Sequence, residues 1–580
     1  MTPARFLALI DPAGSDVAAR LKRRAIDSGK LAPVFDRGPL TVLTAADTRH
    51  VEASERGLIV GDLFRAARSA RADMRDGDAI AASGIVPVDR YWGDYVALTL
   101  SADERSVAAF RSPSGGVHAF RIRRGPLVCI ASHIEYLLEP GPVRPAIDWS
   151  SVAHHLAFAH LHTGATGISG IDEILPGECA MEHEGRSERS TLWSPWAFTT
   201  RERRAATFED AAARVHDAVI RATAALVPPG GKVALELSGG LDSSIVAAAL
   251  AAAQANAVAL NLATPGAEGD ERLYARAVAE RTHIPLIETL VEGDIDLTEV
   301  APRVEARPGM LAMLRLADRS FALRGREHRV EAFINGTGGD CVFCSLGTVA
   351  PAIDRLQAHG MTVGLATTIR DIAAVHGDNV WTVARMARRR RRRGRPVPIW
   401  KRNRHFLNDA LLPAAPDHHP WLDEPEGAPP GTRAHIHAIL ASYAHLEGYG
   451  RHAVAPSLFP LLSQPVVEAC LTVPTWLWVA GGRDRAVARE AFRGDLPRAI
   501  IERRTKGAMD AFCARTFELN RPKLRSFLLD GLLAGAGLLD RGTIEACLAH
   551  PLANRDQLFY RLLPIVDTEG WIRGVAGAPS

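Results

Sequence analysis

Leu237-Ser238-Gly239-Gly240-Leu241-Asp242-Ser243-Ser244 is the stretch that decides the fold of this 580-residue chain. Apolar residues from Val233 lead into it and an alanine-rich segment, residues 245–253, follows it, which predicts a buried strand, a tight glycine turn and a helix start. Free N–H groups and the positive end of the helix dipole attract anions at such a helix start, so phosphate is the expected ligand. Asp242 would hold a magnesium ion that bridges phosphates. The stretch therefore predicts nucleotide binding.

The loop differs from the common P-loop, GxxxxGK[ST], because it contains no lysine. It resembles the pyrophosphate-binding loop of the ATP pyrophosphatases, enzymes that split ATP between its α- and β-phosphates. That resemblance implies formation of an acyl-adenylate and release of pyrophosphate. The alternative interpretation is a serine- and glycine-rich turn without a ligand, which the flanking strand and helix disfavour.

Length and composition set the class of protein. At about 150 residues per domain, 580 residues predict two to four domains. The net charge of only +3 gives no strong field for nucleic acid. Gln254, Asn256 and Asn261 interrupt the most apolar window, residues 245–263, and the first residues carry no signal-peptide pattern. We therefore expect a cytoplasmic protein that binds neither nucleic acid nor a membrane.

Short strands separated by Gly, Pro and Asp dominate the first ~200 residues, which favours an α+β domain with β-sheets. The predicted strands include residues 57–60, 95–100, 106–111, 118–122 and 127–131. The polar and charged segment at residues 195–206 predicts a linker.

From Phe208 onward, strands and helices alternate. Strands are predicted at residues 233–237, 257–262 and 285–290, and helices at residues 245–253 and 271–281. This alternation predicts a parallel sheet with helices on both faces. After about residue 300 the chain is predicted to be mostly helical.

Phe333-Ile334-Asn335-Gly336-Thr337-Gly338-Gly339-Asp340 is a second strand that ends in a glycine-rich turn with an aspartate. Ligands bind at the carboxyl ends of the strands in an open α/β sheet, which would bring Asp340 beside Asp242. Two carboxylates that face one phosphate pocket predict a magnesium site.

Further motifs follow at spacings that fit one family: Pro460-Leu461-Leu462-Ser463, Gly482-Arg483-Asp484-Arg485 and Arg503-Arg504-Thr505-Lys506-Gly507. The first part of the chain adds Gly93-Asp94-Tyr95 and Ala131-Ser132-His133-Ile134-Glu135. On these motifs, taken in this order, the chain is identified as a member of the asparagine synthetase-like amidotransferase superfamily over nearly its whole length.

The resemblance implies two domains. Residues 1–200 would form a degenerate glutamine amidotransferase-like domain, an α+β sandwich of the glutaminase-like (Ntn) type. Residues 208–580 would form an asparagine synthetase-like, ATP-dependent ligase domain. Its implied fold is the α/β ATP-pyrophosphatase (adenine nucleotide α-hydrolase-like) fold with a largely helical C-terminal part.

The first domain departs from the family at two places. The family's glutaminase has a cysteine at the mature N-terminus, where this chain has Thr2 followed by Pro3. The family's Asn-Gly-Glu segment, which helps to hold glutamine, corresponds here to Ile59-Val60-Gly61-Asp62-Leu63. We therefore predict no glutaminase activity. The nucleophile would then be an amine already on the substrate, which favours ring closure.

The C-terminal region, through residues 460–468 and 481–489, is most similar to lasso peptide cyclases. That resemblance implies a precursor (lasso core) peptide as substrate, whose Asp or Glu side-chain carboxylate is adenylated and joined to the peptide's N-terminal amine. The product would be a macrolactam closed by an isopeptide bond. A leader peptidase and a leader-binding protein are the further implied partners. The alternatives are a small-molecule amide or lactam synthetase, similar to β-lactam or asparagine synthetases, and an inactive scaffold that binds the peptide.

The resemblance also implies roles for single residues, with ATP and Mg²⁺ as cofactors. Lys506, one of six lysines, occupies the position of the family's active-site lysine and would stabilise the charge that develops on pyrophosphate. Thr337 replaces the family's Tyr or Glu, so the general base stays unassigned, with Glu447 as a candidate. Asp242 and Asp340 would bind the metal. The implied ATP-binding set is Leu237, Ser238, Gly239, Gly240, Leu241, Asp242, Ser243, Ser244, Thr264, Gly336, Gly338 and Gly339.

Residues 388–393 are all arginine. Such a run is typical of a solvated helix end, or it docks an acidic segment of a precursor or partner. Nucleic-acid binding is a weaker interpretation, because aromatic residues are not interspersed with the arginines. We favour the solvated helix end.

Overall fold

The computed structural model describes residues 4–67, 69–138, 145–183, 185–263, 269–290, 293–300, 305–309, 312–392, 399–504, 510–552 and 557–577. Thr2, Pro3, Thr264 and Lys506 lie outside the described residues, so the roles predicted for them stay predictions. In the described part of the chain, two antiparallel sheets come first and a parallel sheet follows.

The first two sheets have six strands each and pack face to face. Their strands are β1 (Phe6–Ile10), β2 (Ala32–Arg37), β3 (Leu40–Thr44), β4 (His50–Glu52), β5 (Gly57–Arg65), β6 (Tyr91–Leu100), β7 (Ser106–Arg111), β8 (Phe120–Arg124), β9 (Leu127–Ala131), β10 (Ile171–Glu173), β11 (Glu178–His183) and β12 (Arg186–Thr191). The strand orders are β10-β8-β9-β1-β3-β2 and β12-β11-β7-β6-β5-β4.

Side-chain alternation in β1 shows how this sandwich is held together. Phe6, Ala8 and Ile10 pack into the core between the two sheets. Leu7 and Leu9 point to the other face and join the largest core of the molecule. Because successive side chains of a strand point to opposite faces, an all-apolar strand is buried on both sides.

The third sheet is parallel and has five strands. They are β13 (Val233–Glu236), β14 (Ala257–Ala263), β15 (Leu286–Leu290), β16 (Ala332–Ile334) and β17 (Ser457–Leu458). The order is β15-β14-β13-β16-β17, and every neighbouring pair is parallel. After β13 the chain adds β14 and β15 on one side of the sheet, and after β16 it adds β17 on the other side. A ligand crevice is expected between two neighbouring strands whose connections run in opposite directions along the sheet, as they do from β13 and β16.

Helices cover the sheets and make up most of the C-terminal third. They are α1 (Asp16–Asp27), α2 (Met74–Ser83), α3 (Glu135–Leu138), α4 (Trp149–Ala157), α5 (Phe208–Leu226), α6 (Leu241–Ala252), α7 (Arg272–Thr282), α8 (Arg315–Glu327), α9 (Gly339–Val342), α10 (Ala350–His359), α11 (Val363–His376), α12 (Val380–Arg392), α13 (Pro430–Ser442), α14 (Gln464–Leu471), α15 (Ala486–Ala491), α16 (Arg498–Ile501), α17 (Asp510–Leu529), α18 (Leu532–Gly535), α19 (Arg541–Ala549) and α20 (Leu563–Ala576). None of these helices has the length and apolar character that a membrane crossing requires.

The predicted secondary structure is largely confirmed. The strands predicted at residues 106–111 and 127–131 coincide with β7 and β9, and β5 and β6 extend beyond their predicted ends. The parallel sheet and the helical C-terminal part are also confirmed. The two-residue strand β17 was not predicted, because a strand of that length shows no periodicity.

The sandwich and the parallel sheet share polar contacts as well as a core. Trp193 donates its indole N–H to Glu468 over 2.7 Å, and the Tyr443 hydroxyl donates to the Pro113 carbonyl over 3.0 Å. Burial raises the pKa of Glu468 to about 7, against the lowering effect of the Trp193 hydrogen bond. The largest core takes residues from both parts, including Leu7 of β1 and α5 residues.

Candidate active site

The loops that follow β13 and β16 meet at the crevice of the parallel sheet and line a cavity of about 670 Å³. The predicted ATP-binding residues that line it are Leu237, Ser238, Gly240, Leu241, Asp242, Ser243, Gly336, Gly338 and Gly339, together with Asp340. The structure thus brings the two glycine-rich motifs of the sequence into one site.

Glycines make this approach of the two loops possible. Gly239 has φ +79°, and a Cβ atom there would lie 2.7 Å from the Cβ of Tyr274. A Cβ atom on Gly336 would lie 2.7 Å from the Asp242 carbonyl carbon, and one on Gly339 would lie 2.5 Å from the Asp242 Cγ. Any other residue at Gly336 or Gly339 would push the two loops apart, and one at Gly239 would clash with α7.

The serines of the first loop differ in their placement. The Ser238 and Ser243 hydroxyls lie 3.1 Å apart at the cavity wall, where phosphate oxygens would replace their mutual contact. Ser244 is fully buried, and its hydroxyl donates to the Gly240 carbonyl over 2.6 Å. It therefore supports the first turn of α6 without lining the cavity.

Two asparagines fix the strand ends beneath the loops. Asn261 of β14 donates its side-chain N–H to the Leu237 carbonyl over 2.7 Å. Asn335 donates to a Glu236 carboxylate oxygen over 2.8 Å and accepts from the Thr337 backbone N–H over 3.0 Å. These bonds hold the backbone where both motifs leave the sheet.

Asp242 and Asp340 converge on one cation, the Arg485 guanidinium. The same nitrogen, Nη1, lies 3.0 Å from Asp242 Oδ2, 3.1 Å from Asp242 Oδ1 and 2.5 Å from Asp340 Oδ1. Burial disfavours the charge of Arg485, but attraction to Asp242 and Asp340 outweighs it and raises the pKa of Arg485 above its usual range. A guanidinium nitrogen therefore lies at the point toward which both carboxylates are directed.

Two further arginines line the same cavity. Arg503 is engaged, because it donates to the Gly239 carbonyl over 3.0 Å and to Glu271 over 2.5 Å, and its guanidinium lies 3.8 Å from the Tyr274 ring centre. Arg504 also lines the cavity but forms no ion pair with any described residue. Arg504 is therefore available to an anionic ligand.

Glu447 does not line this cavity. Its carboxylate lies 3.4 Å from His162 Nδ1, 3.5 Å from His118 Nε2 and 4.0 Å from Arg307 Nη1, where the sandwich meets the rest of the chain. Arg307 is also bonded to Glu173 over 2.6 Å. Burial opposes the charge of Glu173, yet the neighbouring cations hold the pKa of that carboxyl well below its usual range.

Two histidines do line the cavity. The His160 and His445 rings have centres 5.1 Å apart. Burial lowers the pKa of His445 to about 4, and it also lowers the pKa of His160. Both imidazoles are therefore neutral near pH 7.

Comparison with protein families decides the identity at the family level. The family model described as asparagine synthase matches residues 211–573, which is more than half of the chain. The chain belongs to the asparagine synthase family. Membership of the asparagine synthase family indicates an ATP-dependent, AMP-forming carbon–nitrogen ligase.

Comparisons with individual proteins add little to this assignment. No curated protein matches the chain. Among solved structures, glutamine phosphoribosylpyrophosphate amidotransferase from B. subtilis, complexed with ADP and GMP, matches 58% of this chain and 81% of its own at 10% identity, with a TM-score of 0.20. A structure described as the allosteric regulatory enzyme of purine biosynthesis matches 58% of this chain and 68% of its own at 10% identity, with a TM-score of 0.18. Such low TM-scores support no further conclusion.

The cavity of this asparagine synthase family member fits ATP and Mg²⁺. Two carboxylates that already bind one cation between them suit a hard divalent ion. Among the described residues, no group of three or more His, Cys, Asp or Glu side chains is placed to hold a metal, so phosphate and water oxygens would complete the coordination. The cradle of glycines, serine hydroxyls and the α6 N-terminus suits phosphate groups.

Sequence reasoning assigned no role to Arg485, Arg504, His160 or His445. The first two lie within motifs that carry the family resemblance, so their position in those motifs was the available signal. The two histidines lie in segments without a motif, and only the tertiary structure brings them to the cavity.

Proposed function

We propose that this member of the asparagine synthase family is a lasso peptide cyclase. It adenylates an Asp or Glu side-chain carboxylate of a precursor peptide and releases pyrophosphate. The peptide's N-terminal amine then displaces AMP, and the isopeptide bond closes a macrolactam. A leader peptidase and a leader-binding protein would supply the substrate in the cytoplasm, and the chain would have no glutaminase activity.

The observation that carries the proposal is the contrast between the two parts of the chain. The two glycine-rich loops line one cavity, and Asp242 and Asp340 converge on one point. In the sandwich, the segment expected to hold glutamine runs through the middle of β5, where Asp62 pairs with Arg49 over 2.8 Å and also with Arg71. A chain that activates carboxylates without binding glutamine needs an amine on the substrate itself.

The residues of the cavity suit the first step. A substrate carboxylate oxygen attacks the α-phosphorus of ATP, the bond from that phosphorus to the bridging oxygen breaks, and pyrophosphate leaves. Ser238 and Ser243 would donate hydrogen bonds to the pyrophosphate, and Arg504 and Lys506 would stabilise its growing charge. Holding the reactants in line lowers the barrier by several kcal/mol.

The second step needs a group that accepts a proton from the attacking amine. Thr337 lies at the cavity, but a hydroxyl does not take up a proton near pH 7. We assign this role to His445, whose ring nitrogen is a stronger base than a hydroxyl and lines the same cavity, with His160 beside it. Glu447 stays the weaker candidate, because it is engaged with His118 and His162 away from the cavity.

Mass spectrometry of a candidate precursor peptide tests the proposal. The peptide is incubated with ATP, magnesium, its leader peptidase and the full-length chain. We expect the core peptide to lose the mass of one water as AMP forms, and Asp242→Asn to abolish both. Asp495→Asn is the matched control, because the Asp495 side chain is exposed and pairs with His216 at the surface, away from the cavity.

Other outcomes refute the proposal in distinguishable ways. AMP formation with small amino acids, and none with peptides, would identify a small-molecule amide or lactam synthetase. Exchange of pyrophosphate into ATP without any ring closure would show activation of a different carboxylate. No nucleotide turnover under any condition would indicate a scaffold that only binds peptide.

A further inference from the structure

A second cavity, of about 1030 Å³, adjoins the nucleotide cavity. His160 and Ala441 line both of them, so the two spaces adjoin at these residues. The remaining walls come from the loop at residues 400–406 and from α19. A substrate that reacts in the first cavity can therefore extend into the second.

The second cavity has an apolar floor and a basic rim. Phe406 is buried in the floor, and Trp400 is fixed there because its indole N–H donates to the Ala159 carbonyl over 3.1 Å. The charged side chains of the lining are Lys401, Arg402, Arg404, Arg561 and Asp540. Four of these five are cations.

The cations differ in how far their charge is already neutralised. Arg402 pairs with Asp409 over 2.7 Å, and Arg404 reaches the same carboxylate at 3.4 Å. Lys401 and Arg561 form no ion pair with any described residue. Asp540 caps α19 by accepting from a backbone N–H over 3.1 Å, so it does not neutralise them. Among the described residues, the rim therefore keeps two cations that no carboxylate pairs with.

We propose that the basic groove, defined as the cavity lined by residues 400–406, α19 and Arg561, binds an acidic segment of the peptide substrate. This inference rests on the proposed function and adds the charge of the segment and the side chains that bind it. Carboxylates of the segment pair with Lys401 and Arg561, and its apolar side chains pack on Trp400 and Phe406. The segment continues past His160, so that its reactive end reaches the nucleotide cavity.

The lining favours a peptide over a nucleic acid. An apolar floor suits side chains, and the chain's net charge of +3 gives no strong overall field for nucleic acid. Lys401 and Arg561 line the same cavity, and two such cations can pair with carboxylates of one peptide segment.

Fluorescence polarisation of full-length protein tests the groove without any nucleotide. The probe is a fluorescein-labelled octapeptide of alternating Glu and Leu, compared with the same peptide carrying Gln in place of Glu. We expect the Lys401→Glu/Arg561→Glu double variant to raise the Kd of the Glu peptide at least about tenfold at low salt, and to leave the Gln peptide unchanged.

The matched control is the double variant Arg23→Glu/Arg105→Glu, which changes the net charge equally at exposed positions of the sandwich. We expect it to leave the Kd of the Glu peptide within about twofold of the parent. An unchanged Kd in the Lys401/Arg561 variant, equal binding of both peptides, or tighter charge-dependent binding of an oligothymidylate would overturn the inference. Pyrophosphate exchange, measured separately, reports on the proposed function, so a failure there leaves the groove result standing.

Discussion

Replacement of Arg485 by methionine tests whether the two aspartates form a cation site. The substitution keeps most of the side-chain volume but removes the guanidinium nitrogen that lies 3.0 Å from Asp242 and 2.5 Å from Asp340. In the parent protein an incoming magnesium ion has to displace this nitrogen. The variant lacks this nitrogen.

The size of the effect follows from the exposure of the three side chains. Arg485 and Asp242 are each 15% exposed, whereas Asp340 is 52% exposed. Breaking a buried pair costs about 3–5 kcal/mol and an exposed pair about 0–1 kcal/mol. We take about 2 kcal/mol for this half-buried arrangement. Because about 1.4 kcal/mol is tenfold in affinity, the variant should bind magnesium roughly 30-fold more tightly.

Isothermal titration of Mg²⁺ into the nucleotide-free protein measures this difference. Arg504→Met is the matched control: it removes a cation from the same cavity, but one that has no ion pair with a described residue. We expect its magnesium affinity to change by less than about threefold. Equal or weaker magnesium binding by Arg485→Met would refute the reasoning, since the carboxylates would then not converge on a metal.

Three further predictions follow from the same geometry. Gly239→Ala should reduce pyrophosphate exchange at least about tenfold because its Cβ would meet a side chain at 2.7 Å, whereas Gly230→Ala, with a similar φ of +71° but open space around it, should retain exchange. His445→Asn should slow ring closure about 100-fold and leave pyrophosphate exchange intact, as single-turnover assays would show. Burial lowers the pKa of His419 to about 3 and of His435 to about 4, so the unfolded chain binds more protons below pH 6.5. Compared with a His419→Gln/His435→Gln variant, the parent should therefore lose stability from about pH 6.5 to 4, and parallel profiles of the two proteins would contradict this expectation.

The sequence predicted the parts of the site that rest on local patterns. Asp242 and Asp340 each follow an apolar strand and a glycine turn, and the rule that ligands bind at the carboxyl ends of parallel strands was enough to expect them side by side. The contact of both with Arg485 was not predictable, because that arginine comes from a distant segment and lies in the left-handed region, with φ +50°.

Side chains placed by tertiary packing alone stayed beyond sequence reasoning. Glu447 was a reasonable candidate base by type, but its burial against His118 and Arg307 depends on how the sandwich contacts the rest of the chain. Ser244 belongs to the phosphate-loop motif, yet the helical phase of α6 turns it inward. A one-residue step along a helix rotates a side chain by about 100°, so motif membership does not ensure contact with a ligand.

The buried ion network at the sandwich has a consequence for dissection of the molecule. Arg307 is 5% exposed and pairs with Glu173 of β10, which also pairs with Arg111 of β7 over 2.7 Å. Truncation before residue 208 would remove Glu173, the carboxylate bonded to Arg307, and leave Arg307 with the longer Glu447 contact at 4.0 Å. We therefore expect an isolated ligase fragment to be insoluble, and the intact chain to melt in a single calorimetric transition. The strands at the beginning of the chain act as a folding partner for the catalytic sheet, whatever chemistry they carry themselves.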